Sequence, residues 1–257
     1  KITLNLMNVS IVQLDITAKN TKANFVKIEA LLADCTSDLV VLPEMFSTGY
    51  FTDDTTLAQP MNGEIISWML DYSQRHSTAI CGSLLCLENG ELFNRFVMVS
   101  QGEILGHYDK AHLFSMANEN VHFTPGNTKV DMVLNGFKIR PIICYDLRFP
   151  YSSFNDSEYD ILINVASWPS QRIGHWDALL RARAIENQAY VIGCNRVGEQ
   201  VYTEDKKSHY PGHSGVYRPD GERLVHSVKE EVLRLTITQE AIATTRKQLP
   251  FLNDRRM

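Results

Sequence analysis

Residues 139–150 read IRPIICYDLRFP and place a cysteine between two differently patterned halves. The first half is apolar and rich in β-branched residues, which predicts a buried strand, and the Asp and Pro of the second half predict a turn into a helix. Cys144 lies at this turn, where unpaired backbone N–H groups and the positive end of a helix dipole favour the reactive thiolate. The alternative is an inert core cysteine, since free cysteines are among the most buried residues.

Segments with strand and helix patterns alternate on both sides of this stretch. Apolar spacing of three and four residues predicts helices over 24–34, 64–74 and 175–188. Apolar runs predict strands over 38–42, 79–87, 92–100, 160–166 and 190–195, with a hairpin turn at Asn89 and Gly90. The pattern predicts an α/β fold in which mixed sheets are covered by layers of helices.

Other parts of the chain have weaker patterns. We expect a polar loop over 115–127, a polar insertion over 201–210 and a final hairpin or meander over 214–237. Residues 244–257 have no periodicity and are expected to form a C-terminal tail on the surface or on a partner subunit. No repeat or linker composition interrupts the sequence, so residues 1–257 are predicted to form a single domain.

Composition limits the possible partners. The 257 residues carry a formal net charge of -5, so no basic surface points to nucleic acid or an anionic membrane. No apolar stretch approaches the roughly 18 residues that a membrane span requires, and residues 1–5 lack the apolar region of a signal peptide. We therefore expect a cytoplasmic protein. The five cysteines include no Cys-x-x-Cys pair, which argues against a disulfide framework or a zinc knuckle.

Two charged residues follow predicted strands. Pro43 ends the apolar run 38–42, so Glu44 is delivered at the end of a buried strand, where its pKa rises unless it is paired. Lys110 follows the strand pattern that starts at residue 104. The alternatives are a solvated loop acid for Glu44 and an ordinary surface lysine for Lys110.

In combination, these three residues resemble the nitrilase superfamily of carbon–nitrogen hydrolases. Members present Glu, Lys and Cys in this order and in similar contexts, here LPE (42–44), YDKAHLF (108–114) and CYDLRFP (144–150). The resemblance extends from about residue 4 to residue 237 and includes NVASWP (164–169) and RARAIEN (181–187). It is strongest to the omega-amidase branch, whose members deamidate 2-oxoglutaramate and 2-oxosuccinamate. It implies a four-layer α-β-β-α sandwich, assembled as a homo-oligomer of two or more chains.

The resemblance also implies a cofactor-free mechanism for a small amide substrate. Cys144 attacks the amide carbonyl, Glu44 acts as acid and base, and Lys110 with the backbone N–H of Tyr145 stabilises the oxyanion. Glu119 is the best match to a second glutamate that positions the lysine and substrate in many members. The alternative for Glu119 is a solvated acid in the polar loop.

A 2-oxo acid amide carries a carboxylate remote from the scissile bond, which requires a fixed cation or several donors. Arg172 and Arg148 follow strand ends near the expected site and are the candidate carboxylate ligands, with Trp168 and Phe46 as further substrate-binding residues. The alternatives are a solvated loop arginine for Arg172 and a fold-ordering arginine for Arg148.

Other functions have less support. An aliphatic amidase, an N-carbamoyl amine hydrolase or a nitrilase would share the same three residues, and a non-catalytic scaffold would share the fold. The GHSG sequence at 212–215 lacks the Gly-x-Ser-x-Gly spacing of a serine hydrolase. The eight histidines include no pair at metal spacing with a nearby acid on a helix, so no metal ligands are predicted.

Overall fold

The computed structural model describes residues 5–255 and contains six α-helices and fourteen strands in that range. The helices are α1 (Thr21–Leu31), α2 (Glu64–His76), α3 (Glu119–His122), α4 (Pro150–Ser153), α5 (Ile173–Asn187) and α6 (Gln239–Gln248). The strands are β1 (Leu6–Gln13), β2 (Leu39–Val41), β3 (Ala79–Glu88), β4 (Glu91–Ser100), β5 (Glu103–Asp109), β6 (Met132–Leu134), β7 (Phe137–Ile143), β8 (Ile161–Ala166), β9 (Tyr190–Asn195), β10 (Val197–Thr203), β11 (Lys206–Pro211), β12 (Ser214–Tyr217), β13 (Arg223–Ser227) and β14 (Glu231–Thr238).

Two six-stranded sheets form the centre of the molecule. Their strand orders are β14-β1-β2-β3-β4-β5 and β13-β12-β9-β8-β7-β6, and β10 with β11 forms a separate hairpin. Both large sheets are mixed, because β1, β2 and β3 run parallel, as do β7, β8 and β9, while their flanking strands are antiparallel. The predicted mixed α/β sheets are confirmed.

Three apolar clusters account for the four layers. The largest contains residues of both sheets, among them Ile11 and Ile163, and lies between them. A second packs α1 and α2 on the outer face of the first sheet, and a third packs Trp176 and Leu180 of α5 on the outer face of the second sheet. Burying one face of each helix and both faces of each sheet gives the α-β-β-α sandwich.

Two segments with weak sequence patterns are more ordered than the sequence indicated. The polar insertion at 201–210 belongs to the β10–β11 hairpin, whose register runs from Val197 opposite Pro211. Of the hairpin or meander expected for the final segment, the hairpin is present as β12 and β13, whereas β14 crosses to the first sheet and pairs with β1. The pairing of β14 with β1 is long-range, and local patterning does not encode it.

The C-terminal segment is also more regular than expected. It continues α6 to Gln248 and then forms a short 3-10 helix over Phe251–Asp254, with Leu252 buried. Arg246 donates to the backbone carbonyls of Gln188 and Tyr159, so the segment packs against the body of its own chain. Residues 256 and 257 of this segment lie outside the described range. Residues 1–4, on which the signal-peptide expectation depends, also lie outside it. No helix within residues 5–255 is long and apolar enough to cross a membrane.

Candidate active site

Cys144 lies where β7 ends and is the first residue of a short 3-10 helix, Cys144–Arg148. Its φ is +45°, a left-handed conformation that is strained for a non-glycine residue and is found disproportionately at functional sites. Its backbone N–H donates to Asn164 Oδ1 on the neighbouring strand β8 at 2.8 Å. Asp146 fixes the turn, because its carboxylate accepts from the backbone N–H of Ile143 and from the hydroxyl of Tyr108.

Glu44 follows β2 and is completely buried. Its Oε2 accepts from the backbone N–H of Ser167 at 2.8 Å, and its Oε1 accepts from Asn94 Nδ2 at 2.8 Å and from Lys110 Nζ at 2.9 Å. Both oxygens therefore have partners, as a buried carboxylate requires. The carboxylate is not the solvated loop acid that the sequence left open.

Lys110 follows β5 and joins the two glutamates. Its Nζ lies 2.9 Å from Oε2 of Glu119 and 3.0 Å from Oε1, and Glu119 is held in turn by the backbone N–H of Phe114 at 2.6 Å. Burial acts to lower the pKa of Lys110, but the charges of Glu119 and Glu44 outweigh burial and raise it above the ordinary value. Lys110 therefore remains an ammonium ion. Its side chain is buried, so Lys110 is not the ordinary surface lysine that the sequence left open.

The protonation state of Cys144 differs from the sequence-based expectation. Burial raises the pKa of the thiol well above its usual range, and the negative charge of Glu44 raises it further. Lys110 and the backbone N–H of Ser167 act in the opposite direction but do not compensate. Burial, which is the largest cause, and the charge of Glu44 together oppose the effect that was expected from the helix terminus. At rest the group is a thiol, which needs a base in order to attack.

Cys144 opens into a pocket of about 380 Å³. Tyr145, the predicted oxyanion donor, also lines it, as do Arg148, Trp168 and Arg172, which the sequence predicted as substrate-binding residues. Phe46 does not, and its proposed contact with substrate was wrong. Its side chain is completely buried in the cluster beneath α1 and α2, so its position after the strand end turned it toward the core.

Two arginines on the pocket wall lack an acidic partner. The guanidinium carbon of Arg172 lies 5.4 Å from the ring centre of Phe114, and that of Arg148 lies 4.6 Å from the ring centre of Trp168. Within residues 5–255, no carboxylate oxygen lies within 4.0 Å of a guanidinium nitrogen of Arg148 or Arg172. Burial lowers the pKa of Arg148, and the positive charge of Arg172 lowers it further. The two guanidinium groups form a positive wall of the pocket, which Asp53 also lines, and Arg148 contacts Nδ1 of His175 at 3.1 Å.

Sequence reasoning missed several groups around the charged cluster. Asn94 donates to both Glu44 and Glu119, at 2.8 Å and 3.2 Å, from the interior of β4. The sequence feature that could have indicated this role is the amide of Asn94 within a mostly apolar strand. Tyr50 lines the pocket with its ring centre 5.7 Å from Lys110 Nζ, and its buried hydroxyl has no protein partner among the described residues. Nothing in its local sequence distinguishes Tyr50 from a core tyrosine.

The arrangement can perform nucleophilic acyl transfer. The thiol of Cys144 faces a pocket, and the charges of the buried carboxylate of Glu44 and the buried ammonium of Lys110 act on it. Tyr145 is the second residue of the 3-10 helix, and N–H groups of a first helical turn have no partner within the helix, so its backbone N–H can serve an oxyanion. Such a site can form and hydrolyse a covalent acyl intermediate.

The carbon–nitrogen hydrolase family model matches residues 8–247, and the chain belongs to this family. It is thus a hydrolase of carbon–nitrogen bonds, and the predicted superfamily is confirmed. Among curated proteins, it is 39% identical to omega-amidase YafV of Escherichia coli (strain K12) over 219 residues, or 84% of each chain. It is 32% identical to 2-oxoglutaramate amidase of Bacillus subtilis (strain 168) over 254 residues, or 96% of each chain. Among solved structures, XC1258 from Xanthomonas campestris, a CN-hydrolase superfamily protein, has a TM-score of 0.93 at 34% identity and 98% coverage of both chains.

Proposed function

We propose that the protein is an omega-amidase that hydrolyses the terminal amide of 2-oxo acid amides such as 2-oxoglutaramate and 2-oxosuccinamate. The products are the 2-oxo dicarboxylic acid and ammonia. The observation that carries the proposal is that two arginines without a carboxylate partner line the same pocket as Cys144. Similarity to curated omega-amidases supports the same choice.

The reaction begins with the proton of the Cys144 thiol. Because Glu44 is the carboxylate whose charge acts most strongly on this thiol, it is the base that accepts the proton as the sulfur attacks the amide carbonyl. The attack forms a carbon–sulfur bond and moves the carbonyl π electrons onto oxygen. The ammonium of Lys110 and the N–H of Tyr145 stabilise this oxyanion.

Collapse of the tetrahedral intermediate breaks the carbon–nitrogen bond. Glu44 returns the proton to the departing nitrogen, so ammonia leaves and a thioester to Cys144 remains. Glu44 then removes a proton from a water molecule, which attacks the thioester. The carbon–sulfur bond breaks, and Glu44 returns the proton to the departing sulfur, so the acid is released and the thiol of Cys144 is restored. Glu119 acts by holding Lys110, since it accepts from the ammonium with both carboxylate oxygens.

The positive wall supplies the selectivity of the proposed reaction. A 2-oxo acid amide binds with its amide at Cys144 and its carboxylate at the far end of the molecule. Arg172 and Arg148 provide planar donor forks for such a group, and no carboxylate oxygen of the described residues lies within 4.0 Å of either guanidinium. An aliphatic amide or a nitrile without an acid group would leave both cations desolvated and unpaired, which costs binding free energy.

A substrate panel scored by ammonia release tests the proposal. It contains 2-oxoglutaramate, glutamine, butyramide, a carbamoylated amine and an aliphatic nitrile. We expect the largest kcat/KM for 2-oxoglutaramate. Glutamine is the matched control, because it has the same amide and carboxylate but an amine in place of the oxo group. Preference for the nitrile or the carbamoylated amine would assign the chain to another activity of its family, and no turnover of any compound would support a scaffold.

A further inference from the structure

Three possible metal ligands meet between α5 and the β12–β13 hairpin, outside the pocket. They are Asp177 on α5, His213 immediately before β12 and His226 on β13. One donor atom from each side chain lies within 4.8 Å of the other two. The histidine rings are nearly perpendicular, at 88°, with their centres 4.7 Å apart. The fold therefore assembles two imidazoles and a carboxylate that are separated by up to 49 residues in the sequence.

The cluster is held by the surrounding backbone. The N–H of His213 donates to the carbonyl of Ser227 at 2.8 Å, and its carbonyl accepts from the indole N–H of Trp176 at 2.8 Å. His213 Nδ1 and Asp177 Oδ2 are hydrogen-bonded at 2.9 Å. Carboxylate and backbone contacts of this kind orient the ligands of metal sites.

Two donor atoms of the cluster lack partners. Oδ1 of Asp177 and Nε2 of His226 are buried, and neither has a hydrogen-bond partner within residues 5–255. A buried polar atom without a partner is rare and calls for a ligand or an ion. The mechanism proposed above uses neither residue. The absence of partners for these two atoms within the described residues therefore distinguishes this cluster from an ordinary histidine–aspartate contact.

We propose that Asp177, His213 and His226 bind a divalent transition-metal ion, with zinc as the best match. Two imidazole nitrogens and one carboxylate oxygen are a donor set that zinc accepts, and a water molecule completes four-fold coordination. The side chains of Asp177 and His213 are 30% and 23% exposed, so solvent reaches the site.

The position of the cluster indicates a structural metal. The ion would connect α5 to β13, the edge strand of the second sheet. Trp176, which precedes Asp177, packs with its ring centre 5.5 Å from that of Trp168 on the pocket wall. Metal binding would therefore stabilise the packing behind one wall of the active site, without supplying a catalytic group.

Zinc titration of the chelator-treated full chain tests the proposal. The titration uses a Cys144→Ala background, because an active-site thiol can itself bind zinc. We expect one zinc ion per chain with micromolar or tighter affinity, measured by competition with a chromophoric chelator. Cobalt in place of zinc should give the visible absorption of a tetrahedral nitrogen and oxygen site, without a thiolate charge-transfer band.

Variants in the same background identify the ligands. His226→Ala and Asp177→Asn should each lose stoichiometric binding and the zinc-dependent rise in Tm, while circular dichroism shows an intact fold. Asp177→Asn keeps the size of the side chain. His107→Ala is the matched control, because it removes an exposed imidazole on β5 in the other sheet. No stoichiometric zinc in the background protein, or binding by His226→Ala and Asp177→Asn equal to that of the background, would overturn the proposal.

Discussion

The ammonium nitrogen of Lys110 lies 2.9 Å from Oε1 of Glu44, and neither side chain is exposed to solvent. In a buried site such a contact couples the two groups strongly, because low dielectric screening leaves each charge dependent on the other. The group proposed to move protons and the group proposed to stabilise the oxyanion are thus parts of one unit. Changing either one alters the other.

The first prediction follows from this coupling. Glu44→Gln should lower kcat roughly 10²–10⁴-fold through loss of the acid–base group. Lys110→Met should lower kcat roughly 10²–10³-fold through loss of an oxyanion donor. The double variant should be little worse than the poorer single variant, because groups that act as a unit are not additive. Single-turnover and steady-state ammonia release measure all three rates.

An exposed ion pair provides the control for this cycle. Lys207 Nζ and Glu199 Oε2 lie 3.9 Å apart on the β10–β11 hairpin, with both side chains more than half exposed. Glu199→Gln, Lys207→Met and their double variant should keep the parent rate, since exposed pairs contribute little. Losses at Glu44 and Lys110 that multiply fully in the double variant would contradict a shared mechanism.

The second prediction concerns the nucleophile. Cys144→Ala should abolish turnover and leave the fold intact, because alanine fits the space of the thiol but cannot form the thioester. Cys35→Ala is the control, since Cys35 contacts Ser10 and Ser37 and does not line the pocket. Ammonia release and circular dichroism compare the two proteins. A rate for Cys144→Ala near that of the parent would remove Cys144 from the mechanism.

The third prediction uses the raised pKa of Cys144. A thiol with a raised pKa stays protonated as pH increases, so its alkylation by iodoacetamide should have a midpoint above that of an ordinary cysteine. Glu44→Gln removes a negative charge and should lower the midpoint, whereas Lys110→Met removes a positive charge and should raise it. Mass spectrometry of the Cys144 peptide, alkylated over a series of pH values, gives each midpoint.

Cys35 serves as the reference within the same samples. Burial acts to raise the pKa of Cys35, but hydrogen bonds with Ser10 and Ser37 outweigh it and lower the pKa below the usual value. Its midpoint should therefore lie below that of Cys144 and should not change in either variant. A Cys144 midpoint below that of Cys35 would mean a resting thiolate, and Glu44 would then not be needed to activate the sulfur.

Local sequence predicted the strands, the main helices and the charged residues at strand ends. Glu44, Lys110 and Cys144 could be predicted because each follows a recognisable strand, β2, β5 and β7. Their meeting at one site depends on the packing of two sheets, since β2 and β5 belong to the first sheet and β7 to the second. The contexts of these residues matched a known superfamily. The predicted family and fold class are confirmed, while the homo-oligomer, the cytoplasmic location and the thioester stay predictions.

What the sequence did not predict depends on contacts between distant segments. The contacts of Asn94 with Glu44 and Glu119 were not predicted, because sheet packing determines which face of a strand points to the site. The protonation of Cys144 depends on Glu44, which lies 100 residues away in sequence. The orientation of Phe46 toward the core and the crossing of β14 to the first sheet are likewise tertiary effects. Local propensity carries no information on any of them.

The last prediction separates charge recognition from catalysis. Arg172 and Arg148 face the pocket without an acidic partner, and hydrogen bonds to charged groups contribute roughly 1.5–3 kcal/mol. Arg172→Ala should therefore raise KM for 2-oxoglutaramate about 10- to 100-fold while kcat/KM for butyramide stays within about twofold, since only the charged ligand loses a partner. Arg172→Lys should restore part of the loss, because it returns the charge but not the planar fork. Arg148→Ala, measured beside it, shows how the two cations share the carboxylate. Equal losses on 2-oxoglutaramate and butyramide would make Arg172 a structural residue, and the carboxylate ligand would then be Arg148 or a donor of the 115–123 segment.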